Sequence, residues 1–142
     1  MSSLESRAWL SLWGMCPPYL IYFAVQLAEP GWPGTVLGRF GFLAVVAGVH
    51  AAVYAAGLSV FRWRERGNGL LADERDRAID ARGTRTAYFV LLTGMVVVGM
   101  IMPFGQSGWD VVNAALLAVV LAETMRNVMI VIGYRRRQRL AF

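Results

Sequence analysis

Four side chains that could hold a charge, a proton or a ligand stand inside long apolar runs of the sequence: His50, Glu123, Arg126 and Asn127. Polar and ionisable groups at membrane depth are costly and mark function by default. His50 lies twelve residues before Arg62 and Glu123 twelve before Arg135, arginines at the ends of their runs. At about 1.5 Å per residue both stand about 18 Å from that boundary, near the bilayer midplane. Arg126 lies about 13–14 Å deep on the same ruler. It can pair with Glu123 at i+3, and Asn127 lies one turn below Glu123 at i+4. Three chemistries fit this quartet. A Glu–Arg couple, with His50 and Asn127, can fasten helices together at about 0.6–2 kcal/mol per contact. Glu123 and His50 can exchange a proton or a cation. Arg126, snorkelling inward, can hold an anionic headgroup or ligand. The arginine beside Glu123 favours the first.

A second set of candidates lies in the charged stretch from Arg62 to Thr86. Gly67-Asn68-Gly69 breaks the preceding run, and Asp73 then reads as the N-cap of a new helix, with Glu74 and Asp76 in its first turn. Pairs of Asp73 and Arg77 at i+4, and of Glu74 with Arg77 and Arg77 with Asp80 at i+3, would lace a solvated helix that continues into the next apolar run. Ala78 and Ile79 give it a thin apolar stripe. Asp73, Glu74, Arg75, Asp76, Arg77 and Asp80 therefore form a candidate docking surface; the plainer alternative is a charged turn that fixes topology against an anionic membrane. Interleaved arginines neutralise the acids, and no histidine or glycine-rich phosphate loop accompanies them, so neither metal binding nor catalysis is expected there.

Two further features concern packing. Gly41, Ala44, Gly48 and Ala52 recur on one side of the second apolar run, a small-residue pattern that lets helices approach closely. A second copy of the chain, another membrane protein, or the rest of the bundle would fit that face, while His50 points the opposite way. In the first run, Pro17 and Pro18 remove amide donors and free carbonyls around Trp13 and Gly14. Those carbonyls lie at about the depth of Arg126. A simple kink is the plainer outcome, and Cys16 reads as a small buried side chain.

The elements that must position these residues follow from composition. Of 142 residues 57% are apolar and 16% charged, against about 45–50% and about 25% in soluble chains. Four spans of about 20 residues would use about 80 positions. What remains is too short for a separate catalytic domain of usual size. The sequence predicts an all-α membrane protein: four transmembrane helices in two helical hairpins, at about 8–28, 40–61, 87–104 and 111–134, forming a single domain over 1–142. The first run is too long and too aromatic for a signal peptide. The net charge of +5 is carried by arginine alone. Arginines crowd residues 62–85 and 135–139, whereas the other two connections hold only Arg39, Glu29 and Asp110. The positive-inside bias then puts both termini and the 62–86 loop in the cytoplasm. Trp9, Trp63, Tyr88 and Tyr134 should line the inner interface, and Trp32 and Trp109 the outer. A basic balance on so hydrophobic a chain reflects membrane orientation, and nucleic acid is not an expected partner.

Asp73-Glu74-Arg75, then Ile79, then Arg85 ahead of an aromatic span resembles small prokaryotic four-span membrane proteins of a domain family of unknown function, whose third span follows an Asp-Glu-Arg-x-x-x-Ile loop. The resemblance covers the loop, the third span and the basic end of the fourth. It implies a four-span bundle and assigns no activity, so no functional residue comes with it. Arginine-only basicity and abundant alanine and glycine suggest a bacterial chain, and hence its inner membrane. One cysteine excludes an intramolecular disulfide, and one histidine excludes bis-histidine haem ligation. No cofactor, metal or enzymatic activity is expected. The expected role is a partner or accessory subunit working through the charged loop; the alternative is a small proton- or cation-coupled transporter using Glu123 and His50. Small four-span drug exporters are similar in size, but their membrane glutamate lies in the first span, where this chain has no acid before Glu29.

Overall fold

The computed structural model describes residues 3–65, 74–106 and 108–139, and they are helical apart from two turns. The helices are α1 (Ser3–Ala28), α2 (Val36–Glu65), α3 (Glu74–Val96) and α4 (Gly108–Arg139); a π-helical turn (Val97–Ile101) and a 3-10 turn (Met102–Phe104) follow α3. Among the described residues, four segments are long and apolar enough to cross a membrane: Leu4–Ala28, Val36–Trp63, Asp76–Phe104 and Gly108–Arg135. Only 6% of the most apolar stretch of α2 is buried within the chain. Leu27, Leu37 and Phe104 are 82%, 83% and 90% exposed. Apolar surface on that scale is foreign to a soluble monomer and ordinary against lipid, where only the backbone must be satisfied internally.

The chain forms two compact units, Leu10–Leu71 and Ala72–Phe142 with Met1–Trp9. In the first, aromatic rings key α1 to α2. Tyr19 meets His50 edge-on with centroids 5.7 Å apart, and the fully buried Tyr22 stacks on Phe42 at 5.3 Å. Gly57 makes room for Leu10, and a Cβ at Gly14 would come within 3.3 Å of Val53. These pairs run in opposite order along the two helices. α1 continues through Pro17 and Pro18.

The turn between α1 and α2 is closed by its own hydrogen bonds. Gln26 Nε2 donates to the Trp32 carbonyl at 3.1 Å and Arg39 Nη2 to the Gly31 carbonyl at 2.9 Å. Gly31 sits at φ +100°, which an L side chain would resist, and the Trp32–Pro33 bond is cis. Thr35 caps α2 by accepting from the Gly38 amide at 3.1 Å.

In the second unit α3 and α4 meet along a seam of small residues. A Cβ at Gly94 would lie 2.6 Å from the Ala118 Cβ, one at Gly83 3.0 Å from the Arg126 carbonyl, and one at Gly133 3.1 Å from Ile79. Ile79, Ala118, Ala122, Asn127, Ile130 and Tyr134 are buried there. The ladder runs in opposite senses on the two helices. α3 begins at Glu74 and carries the charged connector into the apolar run without a break. Its far end widens before Pro103: the Met102 amide donates to the Val97 carbonyl, five residues back. A proline at 103 has no amide for the Gly99 carbonyl and crowds it, so the α ladder cannot continue. That π turn was not anticipated from the sequence.

Candidate functional site

Arg126 is the centre of the polar cluster. It projects from α4 one turn past the Glu123 backbone. Its Nη1 approaches Glu123 Oε1 at 3.4 Å, the expected i+3 pair, and its Nη2 donates to Asp80 Oδ1 of α3 at 2.9 Å. Asn127, only 4% exposed, donates from Nδ2 to the Glu123 carbonyl at 2.8 Å, with Glu123 Oε1 at 3.4 Å. The Glu123 carboxylate is thus held from two sides by its own helix. The Arg126 Nε is buried and without a hydrogen-bond partner among the described residues. One guanidinium stands between two carboxylates, and all three side chains are 35–40% exposed.

Gly83 is what allows this arrangement. It lets the α3 backbone come against the Arg126 carbonyl, bringing Asp80, one turn earlier, within reach of the guanidinium. One turn further back, the Tyr134 hydroxyl donates to Asp76 Oδ1. Asp76, Ile79, Asp80 and Gly83 form one stripe at helical spacing, matched on α4 by Arg126, Ile130, Gly133 and Tyr134.

This changes the reading of the connector. Asp80 was expected in a solvated intrahelical pair with Arg77, and Asp76 as a first-turn acid favoured by the helix dipole; both turn instead to α4, because a close helix surface offers each a fixed partner. Tyr134, expected at the interface, is 6% exposed and part of the same seam. Glu74 and Arg77 are exposed. Asp73 and the Arg75 side chain lie outside the described residues. Asp80 as the partner of Arg126 is the residue the sequence reading missed. Two acids four apart, flanking an isoleucine in a basic segment, were the available signal.

His50 belongs to the other unit, where its ring lies against Tyr19 and, tilted, against Tyr54 at 6.4 Å. The carbonyls around Trp13 and Gly14 belong to that unit as well, and the bonds that Arg126 makes go to Asp80 and Glu123. Gly41, Ala44, Gly48 and Ala52 are exposed, and a Cβ at Gly41 or Gly48 would meet nothing within 4 Å.

A groove of about 360 Å³ runs beside the cluster, with Thr84, Tyr88 and Leu91 on α3 and Val119, Glu123 and Arg126 on α4. Among the described residues no three His, Cys, Asp or Glu side chains converge as metal ligands. Chemically, the cluster can lock two helices in register and pair partly exposed charges. Comparison with known protein families, curated proteins and solved structures finds no match. The functional reading therefore rests on this chain's own residues.

Proposed function

We propose that the chain is a non-enzymatic integral membrane protein that serves as a partner or accessory subunit, presenting the charged start of α3 as its docking surface. One observation carries this reading: α3 has two differently used sides. Asp76, Ile79 and Asp80 are engaged with α4. The Arg77, Arg82 and Arg85 side chains are exposed and make no hydrogen bond or ion pair among the described residues. Clamped on one side, the helix holds three cations at fixed spacing on its others, which suits recognition better than a mobile loop does. The proposed arrangement is two helical hairpins with both termini and the connector in the cytoplasm of a bacterial inner membrane. The opposed order of contacts in each unit and the arginine distribution support it.

The test is gentle extraction from the native membrane. A defined protein should co-purify with the wild type and be lost on charge reversal at Arg77 and Arg82, or at Asp73, Glu74 and Arg75, while the helices stay folded. If nothing co-purifies, the subunit reading is discarded. The exposed small-residue face of α2 is the proposed contact for a second copy or a membrane partner. Oligomeric state unchanged by Gly48→Leu would remove the self-association version.

One observation favours a second reading, a small proton- or cation-coupled transporter using Glu123 and His50. Glu123 lines an open groove with Thr84 and Tyr88. Glu123→Gln should then abolish pH-gradient-driven flux of a cation or amine in proteoliposomes, and absence of flux in the wild type would end that reading.

A further inference from the structure

A second cavity, of about 270 Å³, lies in the other unit where α1 ends, and it is chemically unlike the first. Its walls are Ile21, Val25 and Ala28 of α1, Glu29 and Trp32 of the turn, and Phe42 of α2. Trp32 and Phe42 stand nearly perpendicular, 77° between their planes and 5.4 Å between centroids. The indole remains 46% exposed. The Glu29 carboxylate makes no hydrogen bond or ion pair among the described residues. Arg39 of α2 donates to the Gly31 carbonyl of the turn. Glu29 is thus the one acid in an otherwise apolar lining that includes two aromatic rings.

Charge complementarity and aromatic chemistry select the same occupant. A cation is attracted both by the carboxylate and by the negative face of an indole, and an ammonium carrying carbon substituents also suits apolar walls. The volume is below the about 300–1,000 Å³ of sites for drug-sized ligands, which fits a headgroup better than a whole amphiphile. The surrounding surface says where the rest of the molecule lies. Leu20, Ile21, Leu27 and Leu37 are all at least 60% exposed, a bed for hydrocarbon at the end of the Leu4–Ala28 span.

We infer that this cavity binds the ammonium headgroup of a bilayer lipid, with Glu29 as counter-ion, Trp32 and Phe42 as aromatic walls, and the acyl chains along α1. The inference rests on the membrane-spanning reading of α1 and α2 and is independent of the subunit role.

The chain is reconstituted into vesicles of equal phosphatidylethanolamine, phosphatidylcholine and phosphatidylglycerol, extracted gently, and weighed with its retained lipid by native mass spectrometry. One lipid bearing an ammonium headgroup should stay per chain in preference to phosphatidylglycerol. Retention should fall about three- to tenfold in Glu29→Gln, and about two- to fivefold in Trp32→Leu, the size of an exposed cation–aromatic contact. It should be unchanged in Glu123→Gln. Glu29 is exposed, so its substitution spares the fold, and circular dichroism checks this for both cavity variants. Equal retention of phosphatidylglycerol, or wild-type retention in a folded Glu29→Gln, overturns the site. Displacement of the lipid by millimolar choline without a tail overturns its assignment to lipid. A chain that fails to enter vesicles at all would instead refute the membrane-spanning reading, a distinct result.

Discussion

Arg126 of α4 donates from Nη2 to Asp80 Oδ1 of α3 at 2.9 Å while its Nη1 stands 3.4 Å from Glu123 on its own helix. Two carboxylates therefore share one guanidinium, and removing the cation leaves both acids uncompensated. Removing one acid leaves a pair. We expect Arg126→Met to destabilise the α3–α4 unit more than Asp80→Asn or Glu123→Gln does. Because the three side chains are partly exposed, the Asp80–Arg126 coupling in a double-mutant cycle should be about 0.5–1.5 kcal/mol, short of the cost of a fully buried pair. Thermal or denaturant unfolding in detergent measures it. A coupling indistinguishable from zero would show that the contact does not hold the helices.

The seam residues make a sharper contrast. Gly94 faces the Ala118 Cβ at a distance no real Cβ tolerates, whereas Gly41 faces open space. Gly94→Leu should therefore push α3 off α4, costing about 1–3 kcal/mol or more as an overpacked site. Gly41→Leu should leave the stability of the isolated chain within about 0.5 kcal/mol. Unfolding midpoints of the two variants side by side decide the matter. Equal effects would mean that the seam is not the close contact it is here.

The four apolar helices were legible because length and composition dominate everything else in a membrane chain: the expected spans at 8–28 and 111–134 fall within α1 and α4. The i+3 Glu123–Arg126 pair was legible for a related reason, since helix geometry alone brings those residues together. Asp80 was not, because its contact spans 46 residues in sequence and depends on Gly83 and Gly133 letting two backbones approach. Charge patterning within one helix predicted a pair of Asp80 with Arg77, and a tertiary partner overrode it. The π turn at Val97–Ile101 was hidden for a different reason. Pro103 announces that the ladder must fail, but not whether the chain kinks, ends or widens.

Pro103 itself gives a structural prediction. With Pro103→Ala the missing amide returns, the Gly99 carbonyl gains its donor, and the Val97–Ile101 turn should tighten to α-helix. A carbonyl-specific isotope label at Gly99 followed by infrared spectroscopy should move from the position of a weakly bonded carbonyl to that of a helical one. If the label does not shift, something other than the proline widens the helix.

The pair one turn beyond Asp80 tests how far the connector is part of the bundle. Tyr134 is buried and its hydroxyl donates to Asp76, so the first turn of α3 is tied to the last part of α4. Tyr134→Phe keeps the ring in the seam and removes only the hydroxyl. A buried hydrogen bond to a charged acceptor contributes about 1.5–3 kcal/mol, and Asp76, being half-buried, can recover part of that from water. We therefore expect a loss of about 1 kcal/mol, confined to the start of α3. Amide hydrogen exchange should accelerate over residues 76–82 and remain unchanged over residues 86–95, which the Gly94–Ala118 contact holds independently. Asp76→Asn should give a smaller effect of the same distribution, since its amide side chain still accepts from the hydroxyl. Uniform acceleration along all of α3 would instead mean that the helix opens as one unit, and the rigid clamp that the docking role relies on would be lost with it.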